Sequence, residues 1–355
     1  MPDKNDLKTT GAPATGRHVA VLGGGSFGTA LTKVLAENGH TVHFWMRDKA
    51  QADEIRGSGI NSRYMPDIHL TGDIQPTTDF AGAVRNAEVV FVAIPSKAFR
   101  AVIREHSTDF SDDQMVISLT KGIEEHGFKL MSEILQEELP KCRSGVLSGP
   151  NLAGEIVNRD LTATVVAAKD PDVRRAVQDL LGCEYFRVYA NVDVYGVELA
   201  GALKNIYAIV SGLATALDLG ENAKAMLITR GLAEMSRFAV SLGANPMTFM
   251  GLAGVGDLIV TCTSSRSRNY RVGYAVGKGT GLDDAVAELG QVAEGIYTLK
   301  LVKEKSEAIG IYMPLVKGLY EILYGTASIS AVINSLMMSV QNSDVEFILP
   351  RTISQ

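Results

Sequence analysis

Three glycines directly after a short β-branched segment restrict this chain more than anything else in it. His18–Leu22, HVAVL, reads as a strand, and Gly23-Gly24-Gly25-Ser26-Phe27-Gly28 follows without a break. TALTKVLAENG then continues as a helix to Gly39, and TVHFW begins a second strand. In such a turn Gly23 permits the sharp reversal, Gly25 lets backbone approach a pyrophosphate, and Gly28 lets the helix close on the strand. The helix start then offers free amides to an anion. A lone glycine turn is weak evidence, but the complete strand, turn, helix and strand around it makes a dinucleotide site the expectation.

Downstream, β-branched runs alternate with longer helical patterns: AEVVFVAI, MVISL, SGVL, LTATVVAA and YFRVY are the further strand candidates. This alternation predicts parallel βαβ units in a doubly wound, Rossmann-type α/β sheet. After Val188 the pattern becomes purely helical, as in VYGVELAGALKNIYAIVSGLATAL and AMLITRGLAEMSRFAVSL. The expected organisation is a flexible tail over 1–17, a dinucleotide-binding α/β domain over 18–191 and an all-helical substrate domain over 192–355. A chain of 355 residues accommodates two such cores.

A formal net charge of -6 argues against general nucleic-acid binding, so an anionic ligand must meet local positive charge. The three cysteines, Cys142, Cys183 and Cys262, are odd in number and far apart, as free thiols in a reducing compartment would be. The first seventeen residues are polar, and no apolar run reaches the roughly 18 residues of a membrane span, so no span and a cytoplasmic location are expected. No metal cluster is expected, and all six histidines lie at or before His126, so none serves the C-terminal half.

Several segments stand at strand ends, where open α/β folds place ligands. The second strand ends Trp45-Met46-Arg47-Asp48: Arg47 suits a 2′-phosphate, Asp48 suits ribose hydroxyls, and the balance leans to NADP with NAD tolerated. AEVVFVAI runs to Pro95-Ser96, MVISL to Thr120-Lys121-Gly122, and SGVL to Gly149-Pro150-Asn151. Taken alone, Lys121 reads more safely as a solvated loop lysine and Gly149-Pro150-Asn151 as just a turn. Lys204 and Asn205 lie mid-helix in a small, apolar run, where a lysine is costly unless paired or snorkelling, and Gly201 three residues earlier is expected to open room beside it. Arg268, within Ser267-Arg268-Asn269, suits bidentate phosphate recognition, and Asp257 suits an ammonium partner.

Together the segments GGGSFGTAL, NSRYMPDI, TKGIE, LSGPNLAGE, GALKNIYAI, ITRGLAEM, GLAGVGDLIVTCTSSRSRN and QVAEG resemble the NAD(P)-dependent glycerol-3-phosphate dehydrogenases of bacterial cytoplasm, from about His18 to Leu336. The resemblance implies interconversion of dihydroxyacetone phosphate and sn-glycerol 3-phosphate, a homodimer, and a supply of glycerol phosphate for phospholipid synthesis. It further implies that Gly23, Gly25, Ser26, Phe27, Gly28, Arg47, Tyr64 and Pro95 form the nucleotide site together with Ala153, Arg268, Val292 and Glu294. Lys121 is shared between nucleotide and substrate. Gly149, Asn151, Lys204, Asn205, Asp257, Thr261, Ser267, Arg268 and Asn269 are implied substrate contacts, with Lys204 as the proton acceptor. The chain departs from the family pattern at Asn151, where Thr or Ser is usual, and at Phe27, where Trp or Tyr is usual. Lysine near its ordinary pKa of about 10.4 is a poor base at neutral pH, so Lys121 and a dry cleft are expected to lower that of Lys204.

Overall fold

The structure, a computed structural model, describes residues 16–125, 127–289 and 293–338. Its strands are β1 (His18–Leu22), β2 (Thr41–Trp45), the antiparallel pair β3 (Ile60–Asn61) and β4 (Met65–His69), β5 (Ile74–Thr77), β6 (Val89–Val92), β7 (Met115–Ser118), β8 (Arg143–Ser148), β9 (Thr162–Ala167) and β10 (Phe186–Asn191). Between them run α1 (Ser26–Glu37), α2 (Lys49–Ser58), α3 (Phe80–Arg85), α4 (Ser96–Glu105), α5 (Met131–Glu138), α6 (Ala153–Val157) and α7 (Pro171–Leu181). All strands but β3 and β4 join one sheet in the order β10-β9-β8-β7-β6-β1-β2-β5.

Helices cover both faces of that sheet, which is why its central strands read as unbroken apolar runs. Val19, Val21, Phe91 and Ile117 face Leu31 of α1 and Leu180 of α7, whereas Ala20, Leu22, Val90 and Val92 face Phe99, Ile103 and Ile134. Burying a side chain of this kind contributes about 1.5–3 kcal/mol, so the two layers fix the strand register. The chain leaves β1 toward β2 and returns on the other side at β6. The resulting switch point opens a crevice at the carboxyl ends of β1 and β6, which sets where a ligand can enter.

Three details depart from the sequence expectation. β8 and β9 pair antiparallel, in an otherwise parallel sheet. Their link carries only the five-residue α6, about 7 Å long, which cannot span a six-residue strand of about 20 Å and return the chain to its starting edge. The eleven-residue α7 can, and β9 and β10 are parallel. The β3–β4 pair and β5 were not anticipated either. β5 contains Pro76, which an edge strand tolerates because one side of it forms no ladder.

Beyond Asn191 the described residues form helices α8 (Val194–Ala216), α9 (Glu221–Ser241), α10 (Asp257–Thr263), α11 (Arg268–Gly277), α12 (Leu282–Leu289), α13 (Glu294–Ala308), α14 (Pro314–Tyr324) and α15 (Ile329–Met337), with no strand among them. α8 is the core of this half. A Cβ at Gly212 would lie 2.0 Å from the Tyr270 carbonyl oxygen, and one at Gly273 would lie 2.0 Å from that of Ile209, so α8 and α11 pack backbone against backbone. Among the described residues α8 alone is long and apolar enough to cross a membrane, yet 89% of its most apolar stretch is buried inside the protein. It is therefore explained as a core helix. The expected tail lies outside the described residues except for Gly16 and Arg17, and the segment from Ser343 onward lies outside them altogether.

Candidate active site

At the glycine turn, Gly23 adopts φ 126°, and a side chain there would come within 2.5 Å of the Ala93 carbonyl oxygen. Its N–H donates to the Trp45 carbonyl at 2.9 Å, and Ala93 N–H donates to that of Leu22 at 2.8 Å, so the turn is anchored on both neighbouring strands. Gly28 closes the turn from the helix side, since a Cβ there would lie 2.0 Å from the Gly23 carbonyl oxygen. Gly25, by contrast, faces open space, and no side chain caps α1. The first amides of α1 thus stand without a side-chain partner beside a clear approach, the cradle a pyrophosphate requires. Ser26 and Phe27 open α1, and Phe27 packs its ring on the sheet core.

Asp48 uses its carboxylate to cap α2, accepting from Ala50 N at 2.9 Å and Gln51 N at 3.4 Å. Arg47 is exposed beside it, so the cation is the freer of the two to meet a nucleotide. Tyr64 rests on the sheet core with the Arg63 guanidinium 5.5 Å from its ring centre. α6, which begins at Ala153, packs against α1. Pro95 precedes α4, and the Ser96 amide donates to the part-buried Glu294 carboxylate at the start of α13. Burial pushes the Glu294 carboxyl up to about 7, opposed by the Arg268 charge. Val292 lies outside the described residues.

The second half of the site is built on Asp257. This carboxylate is fully buried, and it accepts from Lys121 Nζ at 2.6 Å through Oδ2 and from Lys204 Nζ through Oδ1. Lys204 also donates to Thr261 Oγ1 at 2.7 Å, and Lys121 donates to the Gly149 carbonyl at 3.0 Å. Lys204 is buried at mid-helix, so the snorkelling alternative does not hold. Two ammonium groups sharing one carboxylate leave a net positive charge in a dry site. Burial, aided by the charge of Lys121 and opposed by Asp257, accordingly holds Lys204 well below the ordinary lysine range. Gly201 does not make room for Lys204 as expected. A side chain there would strike Ser148 Oγ at 2.6 Å and crowd the Lys121 stem at 3.5 Å, so the space serves Lys121.

Around this trio the sequence-predicted residues divide by what they touch. Ser267 caps α11 by accepting from Tyr270 N at 3.3 Å, and the adjacent Arg268 is exposed at the helix start. Asn269 Oδ1 accepts from Gly295 N at 3.0 Å and so holds the start of α13, and Gly295 packs against the α8 backbone at Asn205, leaving no room there for a side chain. Asn151 donates to Thr164 Oγ1 at 2.9 Å, while its Oδ1 and the Ser148 hydroxyl are buried with no protein partner. Thr164 was not anticipated, because it acts through hydrogen bonds to Asn151 and to the Ser148 carbonyl, 13 and 16 positions away in sequence. The three cysteines are unpaired, and no metal-binding cluster occurs among the described residues.

Residues 18–174 match the family profile described as NAD-dependent glycerol-3-phosphate dehydrogenase N-terminus, and residues 193–334 match its C-terminus counterpart. A glycerol-3-phosphate dehydrogenase (NAD(P)+) of Pseudomonas syringae pv. tomato is 57% identical over 334 residues, spanning 94% of this chain and 98% of its own. The crystal structure of glycerol-3-phosphate dehydrogenase from Coxiella burnetii is 35% identical with a TM-score of 0.87, covering 91% of this chain and 99% of the other. That of Saccharomyces cerevisiae is 28% identical with a TM-score of 0.80, covering 90% and 99%. The crevice, the glycine cradle and the two lysines on the buried Asp257 thus occur in a chain that belongs to the NAD-dependent glycerol-3-phosphate dehydrogenase family.

Proposed function

We propose that this chain interconverts dihydroxyacetone phosphate and sn-glycerol 3-phosphate with NADP or NAD, and that Lys204 moves the proton. The observation that carries the assignment of Lys204 is the buried Asp257 carboxylate held between two lysines, one from each half of the chain. The turn from Gly23 to Gly28, with Ser26, Phe27, Arg47, Tyr64, Pro95, Ala153, Val292 and Glu294, holds the dinucleotide, which supplies or accepts the hydride at the substrate carbon. Lys204 gives a proton to the carbonyl oxygen as the ketone is reduced and takes the hydroxyl proton back in the oxidising direction. Lys121, bonded to the same carboxylate, stands beside the same oxygen. Arg268, with Ser267, Asn269 and the start of α11, binds the phosphate dianion, and Gly149, Asn151, Asn205 and Thr261 complete the substrate side.

Loss of reduced-nicotinamide absorbance on adding dihydroxyacetone phosphate tests this directly, with NADH and NADPH run in parallel. Turnover of a 3-keto acid with no response to the phosphorylated ketone overturns it, as does nucleotide binding without any turnover. The same reading divides the chain at 191/192, places it in the cytoplasm, and makes it a homodimer. Light scattering at twice the chain mass checks the last point.

Two expected outcomes concern the charged side chains at the rim. Arg47→Asp weakens NADPH binding about tenfold to hundredfold, the equivalent of the roughly 1.5–3 kcal/mol of a charge-assisted contact, and leaves NADH much less affected. Equal losses for both cofactors count against a phosphate-reading role. Arg268→Lys keeps the charge but loses the planar fork, so the Michaelis constant for dihydroxyacetone phosphate rises about tenfold, and turnover falls to the extent that phosphate binding aligns the ketone. Steady-state kinetics identical to wild type remove Arg268 from the phosphate site.

A further inference from the structure

Two side chains not assigned above, the buried Asn61 and the part-buried Gln51, converge on the back of the glycine turn. The Gly24 carbonyl accepts from Gln51 Nε2 at 2.7 Å and from Asn61 Nδ2 at 3.0 Å. Asn61 Nδ2 also donates to Thr29 Oγ1 at 2.7 Å, and the Thr29 hydroxyl donates to the Gly25 carbonyl at 2.8 Å. Asn61 Oδ1 accepts from Gln51 Nε2 at 3.0 Å, so all of this amide's polar atoms are engaged while the residue is fully buried. A carbonyl can only accept, so the amide nitrogen has to face Gly24, and no carboxylate can replace it.

The consequence follows from peptide planarity. In a trans peptide the carbonyl of one residue and the N–H of the next point in opposite directions. Holding the Gly24 and Gly25 carbonyls on the protein side therefore aims the N–H groups of Gly25 and Ser26 outward, toward the open space beside Gly25. The same network reaches the other nucleotide-facing pieces: Gln51 sits in the first turn of α2, four residues after Arg47, and the Asn61 carbonyl accepts from Tyr64 N at 3.1 Å.

We propose that Asn61, supported by Gln51, is a positioning residue for cofactor binding, locking the glycine turn with its amides presented to the pyrophosphate and tying Arg47 and Tyr64 to that geometry. The proposal rests on the dinucleotide reading of the turn. The test uses Asn61→Asp, which keeps size but loses both donors, and Gln51→Met. Binding of NADPH is followed by its own fluorescence, turnover is measured at saturating cofactor, and melting is recorded without ligand. Asn61→Asp is expected to raise the dissociation constant about tenfold to hundredfold and Gln51→Met about threefold to tenfold, with turnover at saturation falling far less than affinity. A core variant remote from the turn, Leu180→Ala, should melt lower and bind NADPH as wild type does. The proposal is overturned if a folded Asn61→Asp binds normally, or if Leu180→Ala weakens binding equally. Should Asn61→Asp fail to fold, normal binding by Gln51→Met overturns it instead. Wild-type protein that binds no NADPH sinks the dinucleotide reading itself.

Discussion

Lys204→Met is expected to remove most turnover, by about a hundredfold to ten-thousandfold, while leaving the fold and nucleotide affinity close to wild type. The rate loss is that of general acid-base help, to which loss of positive charge at the developing alkoxide adds. Stability survives for a reason visible in the charge count. Removing one ammonium leaves Asp257 paired with Lys121, a neutral pair in place of a net cation, and methionine fills the volume of the lysine stem. On the role proposed for it, the same lysine is expected to set the pH dependence of the wild type. Oxidation of glycerol phosphate needs neutral Lys204, so its rate rises with pH through a pKa that burial has lowered, levelling off before an exposed lysine would. Reduction needs the ammonium, so its rate falls as pH rises through that value. A variant with near-normal turnover assigns the proton to Lys121 or water, and one that loses its melting transition makes Lys204 structural.

The parts of this molecule that the sequence makes legible are those in which one local pattern carries the physics. Strands buried on both faces have to be apolar throughout, so AEVVFVAI and MVISL declare β6 and β7, and the spacing of Gly23, Gly25 and Gly28 declares the turn that β1 feeds. Lys204 is visible only as an anomaly, a cation in an apolar helix. Its partner Asp257 stands 53 positions away in sequence. No spacing rule connects the two, and the family resemblance rather than periodicity united them in advance. The Gln51–Asn61 network is hidden for the same reason, since its acceptors are backbone carbonyls that a sequence does not display.

Buried carboxylates show the limit most clearly. Glu198 in α8 accepts from Ser132 N at 3.0 Å, and Glu234 in α9 accepts from Leu315 N at 2.6 Å and from the Tyr207 hydroxyl at 3.0 Å. Each satisfies an orphan amide in the first turn of another helix, α5 or α14, and burial pushes each carboxyl up to about 7. In sequence they look like ordinary polar positions of amphipathic helices. Only the packing shows that a helix end far along the chain needs them.

Asp257→Asn should act in the opposite way to Lys204→Met, damaging stability as well as catalysis. The substitution is nearly isosteric, but it leaves Lys121 and Lys204 with no counter-charge, and one face of the new amide must present N–H groups to an ammonium. Deleting one partner of a buried ion pair typically costs about 3–5 kcal/mol, because the surviving charge stays desolvated. The pH dependence of that loss has a definite sign. With Asp257 gone, the charge that raises the Lys204 pKa is lost and burial pulls this lysine further below its unfolded value of about 10.4, so the folded variant sheds that proton at lower pH than the folded wild type does. The stability deficit of Asp257→Asn is therefore largest on the acid side of the lowered wild-type pKa of Lys204 and shrinks as pH rises through that value, above which both folded proteins hold this lysine neutral. Urea unfolding of variant and wild type across that range provides the measurement. A deficit that is absent, or that grows with pH, means that Asp257 does not hold the two lysines as a charged pair. A deficit of the expected sign accompanied by wild-type turnover confines Asp257 to stability and leaves the orientation of Lys204 to Thr261.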